Sequence, residues 1–540
     1  MKPHLGLALE AELSPSRFAE VGRPAGAYRR EDGGVLALVS DFDSLYWPGR
    51  ALYEGHRLRH RICIYSGNLG ARLGVFDGAR FTINDVAFHP TLPMIAIATG
   101  CYDGGWFFEG ELLLWNWETN RSHRVLSENR DVSRVRFVNG DSLAVLLRPR
   151  DEEEYGESVA FETFVGGVIA DLRSSADLGL RDGEADPRIS TFVAAAPTAL
   201  QFECGVYKPE THKAQWDLAM GGTDFEARHR VWDIAWTGAE RVLAVHDCCH
   251  AEEWTTAGRR SLYIQGAGHG VQVLERAGSM LVNVVERGNA FTGAADKCGL
   301  FEVRDDRLHS IAHFDGGMLF SVDRAGRLLC RDTGDLERKR ARCDRLLNSD
   351  GREELANDLG HFDCFNHSIR LDGGKGLYFL RGTPASSHQG KVLCLVDAMN
   401  RVQECFRWDP EQSHLMCSTA RLMADGSLVR AFRVHDPQPS NFGAFIEALE
   451  MPSGRPRWRR SFTALATALE PIGHSSRLVY ALTDGTLGVL DAKSGDLLHE
   501  ERVEVHGVNT MVLSLCAQGD RVACGTLDGR VLLLRIGAGR

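Results

Sequence analysis

The sequence contains no long basic tract and no apolar run of membrane-spanning length. Its formal charge of −11 comes from 73 acidic and 62 basic residues, which argues against a nucleic acid as the main partner. Glu10 and Glu12 interrupt the first apolar stretch before it reaches the length of a signal sequence, and no other stretch approaches ~18 consecutive apolar residues. We therefore expect a cytoplasmic protein with no secretion signal and no membrane span.

Sequence signatures of common catalytic sites are also missing. There is no nucleophile elbow, zincin helix, phosphate loop or dinucleotide fingerprint. The glycine-rich stretch 266–270 lacks the spacing and the following helix that a phosphate cradle needs. These absences favour a protein that is not an enzyme and has no cofactor.

What the chain does contain is enough apolar material for a large core. Hydrophobic residues make up 44% of its 540 residues, and its 14 cysteines lie mostly inside apolar segments such as 61–64 and 393–395. Because a free cysteine behaves as a small buried hydrophobe, we expect reduced core residues rather than disulfides.

Short apolar runs separated by Gly, Asp and Asn recur from about residue 34 to the end of the sequence. In the clearest unit, residues 477–482 lead through Thr483-Asp484-Gly485 into 486–491, and a second turn leads into 497–499. Asp-Gly suits a tight hairpin because its residues tolerate positive φ. The pattern predicts strands joined by turns, and almost no long helices.

Two groups of segments carry a family resemblance. Residues 86–90, 94–100 and 111–117 resemble parts of WD-repeat blades, with Trp115 near the end of a third strand. Residues 448–458 and 489–495 are similar to the repeats of quinoprotein dehydrogenases. Both resemblances imply an all-β propeller. The Gly-His pair and the Trp-Asp pair of WD repeats are mostly missing, so their hydrogen-bond network is not implied for each blade.

The spacing of the repeats predicts about 10–11 four-stranded blade units. A single ring usually has four to eight blades, so we expect two rings, with blades of the first in residues 1–270 and of the second in 271–540. One large ring over 1–540 is the alternative. Residues 4–10 alternate like a half-buried strand and are expected to complete the last blade as a latch strand, the alternative being a short helix or a frayed tail. Residues 335–360 are rich in helix formers and predict a short helical insertion.

Two clusters could in principle hold a metal ion. His246 to Trp254 brings His, Asp, Cys and Glu together, and His361, Asp363, Cys364 and His367 form a second group. Adjacent cysteines do not share a tetrahedral zinc site readily, and a hydrogen-bonded Asp363–His367 pair explains the second group. We therefore predict no metal site.

Long connections between second and third strands distinguish this chain from a plain repeat array. They are predicted at 41–60, 100–110, 148–157, 247–259, 381–390 and 434–442, and in a propeller such connections leave a ring at one face. They carry the candidate partner-binding residues Tyr46, Trp47, Tyr53, Tyr102, Trp106, Phe107, Phe108, Tyr155, Trp254 and Phe442.

Aromatic side chains among Asp, Glu and Arg are typical anchors of protein interfaces. The sequence therefore favours a non-catalytic scaffold that binds a protein partner through these loops. The alternatives are that the rings fold back to cap the blades, that the chain is a propeller enzyme (a hydrolase, a lyase or a quinone-dependent dehydrogenase), or that it is a metal-regulated scaffold.

Overall fold

The structure is a computed structural model, and it describes the greater part of the chain. The described residues are 5–42, 57–101, 108–126, 129–140, 142–148, 151, 160–165, 180–182, 200–201, 220, 225, 228–246, 250–263, 268–288, 295–316, 318–332, 343–357, 359–361, 369–382, 390–409, 414–435, 443–473 and 476–538.

These residues form 42 β-strands and two single-turn 3-10 helices, at Ala19–Val21 and Arg57–Arg59, and no α-helix. The first strands are β1 (Leu5–Leu13), β2 (Pro24–Arg29), β3 (Val35–Asp41), β4 (His60–Ser66), β5 (Arg72–Phe76), β6 (Thr82–Phe88), β7 (Met94–Gly100), β8 (Gly110–Asn116), β9 (Arg121–Arg124), β10 (Val132–Asn139), β11 (Ser142–Leu147), β12 (Ala160–Val165), β13 (Leu180–Asp182) and β14 (Leu200–Gln201). In this described part, no helix is long and apolar enough to cross a membrane.

The strands continue as β15 (Val231–Gly238), β16 (Arg241–His246), β17 (His250–Thr255), β18 (Gly258–Tyr263), β19 (Gly268–Arg276), β20 (Ser279–Gly288), β21 (Ala295–Arg304), β22 (Arg307–Asp315), β23 (Met318–Val322), β24 (Leu328–Asp332), β25 (Asp344–Leu347), β26 (Glu353–Asn357), β27 (Leu377–Arg381), β28 (Val392–Val396) and β29 (Val402–Arg407). The last are β30 (His414–Leu422), β31 (Leu428–His435), β32 (Gly443–Leu449), β33 (Pro456–Phe462), β34 (Ala466–Pro471), β35 (Arg477–Leu482), β36 (Thr486–Asp491), β37 (Leu497–Arg502), β38 (Glu504–Val505), β39 (Val508–Asn509), β40 (Val512–Gln518), β41 (Arg521–Thr526) and β42 (Val531–Ala538).

The described residues divide into two compact units. The ring unit contains β1 and everything from His229 onward, and the N-terminal unit contains the described residues from Arg17 to Arg228. The change between units falls at Arg228 and His229, whereas the predicted boundary after residue 270 lies inside β19.

The described part of the ring unit contains seven antiparallel sheets of three or four strands, and β38 and β39 form a further two-stranded sheet between sheets six and seven. Sheets one to three are β15–β18, β19–β22 and β23–β26, and sheet four is β27–β29. Sheets five and six are β30–β33 and β34–β37, and sheet seven has the order β1-β42-β41-β40. Residues 369–372 precede β27 and form no strand, and the Val322 N–H of sheet three donates to Asp372.

A cluster of buried apolar side chains lies at each junction of consecutive sheets. Leu243 and Val284 pack sheet one on sheet two, and the series continues around the unit. At the last junction, Leu533 of sheet seven packs with Trp236 of sheet one. The seven sheets therefore form a closed ring, and the expected all-β propeller is confirmed, with four strands in six of these sheets and three described strands in sheet four.

The closing sheet joins the two ends of the described chain. β1 pairs antiparallel with β42 in a register that sets Leu5 opposite Ala538 and Leu13 opposite Val531. β1 is thus the outermost strand of the seventh sheet. In the sequence, the residues of the N-terminal unit lie between β1 and β15, the first strand of sheet one.

The N-terminal unit contains three described sheets. Their strand orders are β14-β2-β3-β4-β5, β6-β7-β8-β9 and β10-β11-β12-β13. The first two sheets share a core that includes Ile62, Ile97 and Trp115, and the second and third pack through Leu112 and Val145.

The predicted helical insertion at 335–360 is wrong for the residues that are described there. β25 and β26 form the third and fourth strands of sheet three, joined by a turn at Asn348–Gly351. Gly351 has a φ of 78°, which suits this turn. The buried Leu346 and Leu347 gain more from packing in the sheet than the modest helix propensity of the flanking residues offers.

Candidate functional site

Most of the predicted long connections lie between two strands of one sheet. Four of the six lie between the second and third strands of a sheet along the chain: β3–β4, β7–β8, β11–β12 and β31–β32. A fifth lies between β27 and β28, the first two strands of the three-stranded sheet four. The sixth, predicted at 247–259, is different, because β17 and the start of β18 occupy most of it.

Two of the ten candidate partner-binding residues lie in the described part of the chain, Phe108 and Trp254. The other eight lie outside the described residues: Tyr46, Trp47, Tyr53, Tyr102, Trp106, Phe107, Tyr155 and Phe442.

Trp254 is not a loop residue. It lies in β17, opposite Val242, and its side chain is only 1% exposed in the cluster that packs sheet seven on sheet one. The guanidinium of Arg259 lies 5.5 Å from its ring centroid. The polar residues around it suggested a loop, but β17 alternates and its Trp points into the core. We correct its role from partner contact to core residue.

Phe108 is half-buried at the base of the β7–β8 connection. The Cys101 N–H donates to the Glu109 carbonyl at 3.0 Å, which closes the base of this connection. The Phe108 carbonyl accepts the Asp131 N–H at 2.8 Å, and the Asp131 carbonyl accepts the Arg148 N–H at 3.0 Å. One hydrogen-bonded chain therefore joins the β7–β8, β9–β10 and β11–β12 connections into a continuous edge, which we call the loop edge.

Close packing and ion pairs fix this loop edge. A Cβ on Gly100 would lie 1.8 Å from an Asp131 carboxylate oxygen, so only glycine permits this approach. Next to it, the buried Glu111 carboxylate accepts a hydrogen bond from Arg80 Nε at 2.8 Å. Arg80 and Arg124 both donate to the Asn129 side chain, at 3.2 and 2.7 Å.

The only cysteine in the described part of this edge is not suited to nucleophilic chemistry. Burial raises the pKa of Cys101 to about 12, and the neighbouring Glu109 carboxylate adds to the effect. The thiol is therefore protonated at neutral pH, whereas attack requires the thiolate.

The cluster between His246 and Trp254 uses its groups within the fold. His246 Nε2 lies 3.2 Å from Glu252 Oε2, and the same carboxylate receives Arg259 and Ser261 at 3.2 and 3.0 Å. The His229 ring stacks on His246 with centroids 5.9 Å apart. Cys248 and Cys249 lie outside the described residues.

In the second cluster, Asp363, Cys364 and His367 also lie outside the described residues, while the backbone carbonyl of His361 accepts the Gly382 N–H. Across the described ranges, no group of three or more His, Cys, Asp or Glu residues is placed to hold a metal ion.

A set of charged residues that was not predicted from the sequence lies on the first strands of sheets one, five and six and on the segment 369–372 that precedes β27. We call it the axial cluster: Asp233, Arg370, Asp372, Arg421 and Glu470. Arg370 contacts Asp233 Oδ2 at 2.5 Å and Asp372 Oδ2 at 2.6 Å. Arg421 Nε lies 3.5 Å from Glu470 Oε2.

Backbone N–H groups hold the three carboxylates as well. The Val273 N–H donates to Asp233 at 3.0 Å, the Val322 N–H to Asp372 at 3.0 Å, and the Ala517 N–H to Glu470 at 3.2 Å. Each of these bonds joins two sheets. The carboxylates of the axial cluster thus accept both N–H and guanidinium donors.

Burial and pairing act in opposite directions on these groups. Burial raises the pKa of Asp372, and Arg370 opposes the rise; burial likewise raises the pKa of Glu470 against Arg421. For Arg370, burial lowers the pKa, but Asp233 and Asp372 outweigh it and the net pKa is raised. Arg370 is therefore charged throughout the physiological range.

A weak signal for the axial cluster is present in the sequence. Asp233 and Glu470 are single acidic residues inside apolar strands, and a buried charge usually has a partner. The identity of the partner could not be read, because Asp233 and Arg370 are 137 positions apart.

No protein-family model matches the chain, and no curated protein matches it. Among solved structures, it is similar to virginiamycin B lyase from Staphylococcus aureus, with 12% identity, a TM-score of 0.41, and coverage of 57% of this chain and 95% of the lyase. It is also similar to Raptor from Chaetomium thermophilum, with 11% identity, a TM-score of 0.40, and coverage of 57% of this chain and 28% of Raptor.

Proposed function

We propose that the protein is a non-catalytic scaffold that binds a protein partner through the long connections between second and third strands. The observation that carries this proposal is the loop edge, in which the bases of successive connections are hydrogen-bonded to one another through Phe108, Asp131 and Arg148. A fixed base limits the conformational freedom that a loop loses on binding, which favours affinity.

The composition of the connections supports a protein as the partner. Trp106 and Phe107 stand directly before Phe108 in the sequence, and Tyr102 precedes them across Asp103, Gly104 and Gly105. Aromatic rings bury a large apolar area with few rotatable bonds, and they dominate the energetics of many interfaces.

The axial cluster supports the non-catalytic part of the proposal. Asp233, Asp372 and Glu470 each accept a backbone N–H and pair with an arginine. These contacts join sheets to one another, so the carboxylates already have a structural role, which favours a structural over a catalytic interpretation.

The experiment is to capture partners from the native host and then to measure their affinity for variants. Trp106→Ala and Phe108→Ala should weaken binding, and at least one of them by about 30-fold, which is about 2 kcal/mol at 1.4 kcal/mol per tenfold. Val138→Ala is the matched control, because Val138 is 54% exposed and lies next to the β10–β11 turn, at the opposite end of the strands from the loop edge.

If Trp106→Ala, Phe108→Ala and Val138→Ala all bind the partner as tightly as the unmodified protein, the loop edge is excluded as the binding site. Capture of no partner, together with turnover in a broad screen of hydrolase and lyase substrates, would reverse the proposal in favour of an enzyme.

A further inference from the structure

The guanidinium of Arg370 reaches across the centre of the ring unit. We propose that Arg370 and Asp233 form an axial lock, an ion pair that ties opposite sides of the ring together and keeps the junction between its first and last sheets closed.

Asp233 and Arg370 belong to sheets that are not neighbours in the ring. Asp233 lies in β15 of sheet one, and Arg370 precedes β27 in sheet four. In a closed ring of seven sheets, sheets one and four are not neighbours on either side, so their inner residues can meet only across the axis. Arg370 also donates to the Val273 carbonyl of sheet two at 3.1 Å.

The Arg370–Asp233 ion pair differs from the other polar contacts around the axis. The Ser514 hydroxyl donates to the Val231 carbonyl at 3.0 Å, and the Arg421–Glu470 pair joins sheets five and six. Both of these bonds join neighbouring sheets, which pack on each other in any case. Arg370 joins sheets that share no core, so it restrains a movement that the apolar clusters do not.

The ring closes at the junction between sheets seven and one. Sheets seven and one meet there through Ser514, through Trp236 Nε1, which donates to the Cys516 carbonyl at 2.9 Å, and through their shared core. If sheet one moves away from the axis to open this junction, Asp233 is pulled from Arg370. The buried Asp233 carboxylate then loses its arginine, which is costly.

Hydrogen–deuterium exchange of the full chain tests the axial lock, because exchange reports the opening of individual strands. Arg370→Met should speed exchange in β15 and β40, the strands that face each other at the closing junction, by about tenfold or more. Arg421→Met is the matched control: it removes an arginine of the same axial cluster between neighbouring sheets, and should speed exchange in β30 and β34 but not in β15.

Two further variants separate the axial lock from general destabilisation. Asp233→Asn combined with Arg370→Met removes both charges and should slow exchange in β15 relative to Arg370→Met alone. Arg370→Lys keeps the positive charge but cannot hold two carboxylates with a planar fork, so it should fold and show the same pattern at smaller amplitude. Exchange that rises only in residues 369–382, or a pattern in Arg421→Met identical to that in Arg370→Met, would overturn the proposal.

Discussion

Leu13 offers a direct test of how the ring is closed. Its side chain is fully buried in the cluster formed with Val231, Trp254 and Leu533, although it belongs to the outermost strand of its sheet. Leu9 lies in the same strand with 47% of its surface exposed. Substituting each by Ala therefore compares the same chemical change at a core position and at a surface position of β1.

The magnitudes follow from burial. Leu13→Ala removes buried apolar atoms and leaves a cavity between sheets seven and one, which typically costs about 2–5 kcal/mol. Leu9→Ala should change the free energy of unfolding by less than about 0.5 kcal/mol. For a ring of over 300 residues, about 1.5 °C per kcal/mol gives a lowering of the thermal midpoint by roughly 3–7 °C for Leu13→Ala.

Calorimetry is the suitable assay because the chain contains two compact units and can show two transitions. Only the transition of the ring unit should move in Leu13→Ala, and deletion of residues 1–10 should lower that same transition further by exposing β42. Equal midpoints for Leu13→Ala and Leu9→Ala, or an unchanged midpoint after the deletion, would refute the role of β1 in closing the ring.

Three further predictions concern other sites. Burial raises the pKa of Asp85 to about 6, against the N–H groups of Val135 and Val86 that lower it. Because the raised pKa means that the folded state binds the proton more tightly, protonation of Asp85 stabilises the fold below about pH 4. This stabilisation, up to roughly 3 kcal/mol, is lost as pH rises through 6. Asp85→Asn should remove that fall in urea titrations at pH 4 and pH 7, and an unchanged pH dependence would contradict it. Trp254→Ala should lower the free energy of unfolding by about 3–5 kcal/mol while the folded fraction keeps its affinity for partner; reduced affinity at unchanged stability would restore Trp254 as a contact residue. Elemental analysis should find no stoichiometric zinc, and a full equivalent that disappears when Cys248, Cys249 and His250 are changed to Ala would establish a metal site.

The sequence was most informative where structure is decided locally. The run from Arg477 to Asp491 predicted a hairpin at Asp484-Gly485, and β35 and β36 form it with Gly485 at a φ of 86°. Tight turns and alternating strands depend on neighbouring residues, so their signals are contained in a short window.

The wrong helix at 335–360 shows the limit of local reasoning. Leu346 and Leu347 fit a helix by propensity, yet they pair with Leu329 and Leu328 in sheet three. Propensity differences amount to a few tenths of a kcal/mol per residue, whereas burying a leucine side chain contributes about 1.5–3 kcal/mol. Partners that decide such cases come from elsewhere in the chain.

The location of a candidate residue could be predicted only where the order of the surrounding strands could be predicted. The connections at 100–110 and 381–390 were located by the lengths between strands, and β7–β8 and β27–β28 lie on either side of them. Trp254 was assigned to a loop because its neighbours are polar, which outweighed the alternation of β17. The axial cluster joins residues from four sheets, so no pattern within one sequence window could reveal it.

The pairing of β1 with β42 also sets the order in which the protein can be completed during synthesis. The two strands are about 500 positions apart, so at 5–20 residues per second roughly 25–100 s pass between translation of β1 and translation of its partner. Throughout that interval Leu13 and its alternating neighbours have no sheet to join, while the inserted N-terminal unit can already fold. Chaperone demand during translation should therefore concentrate on β1, because its pairing must wait for a strand that is translated about 500 residues later.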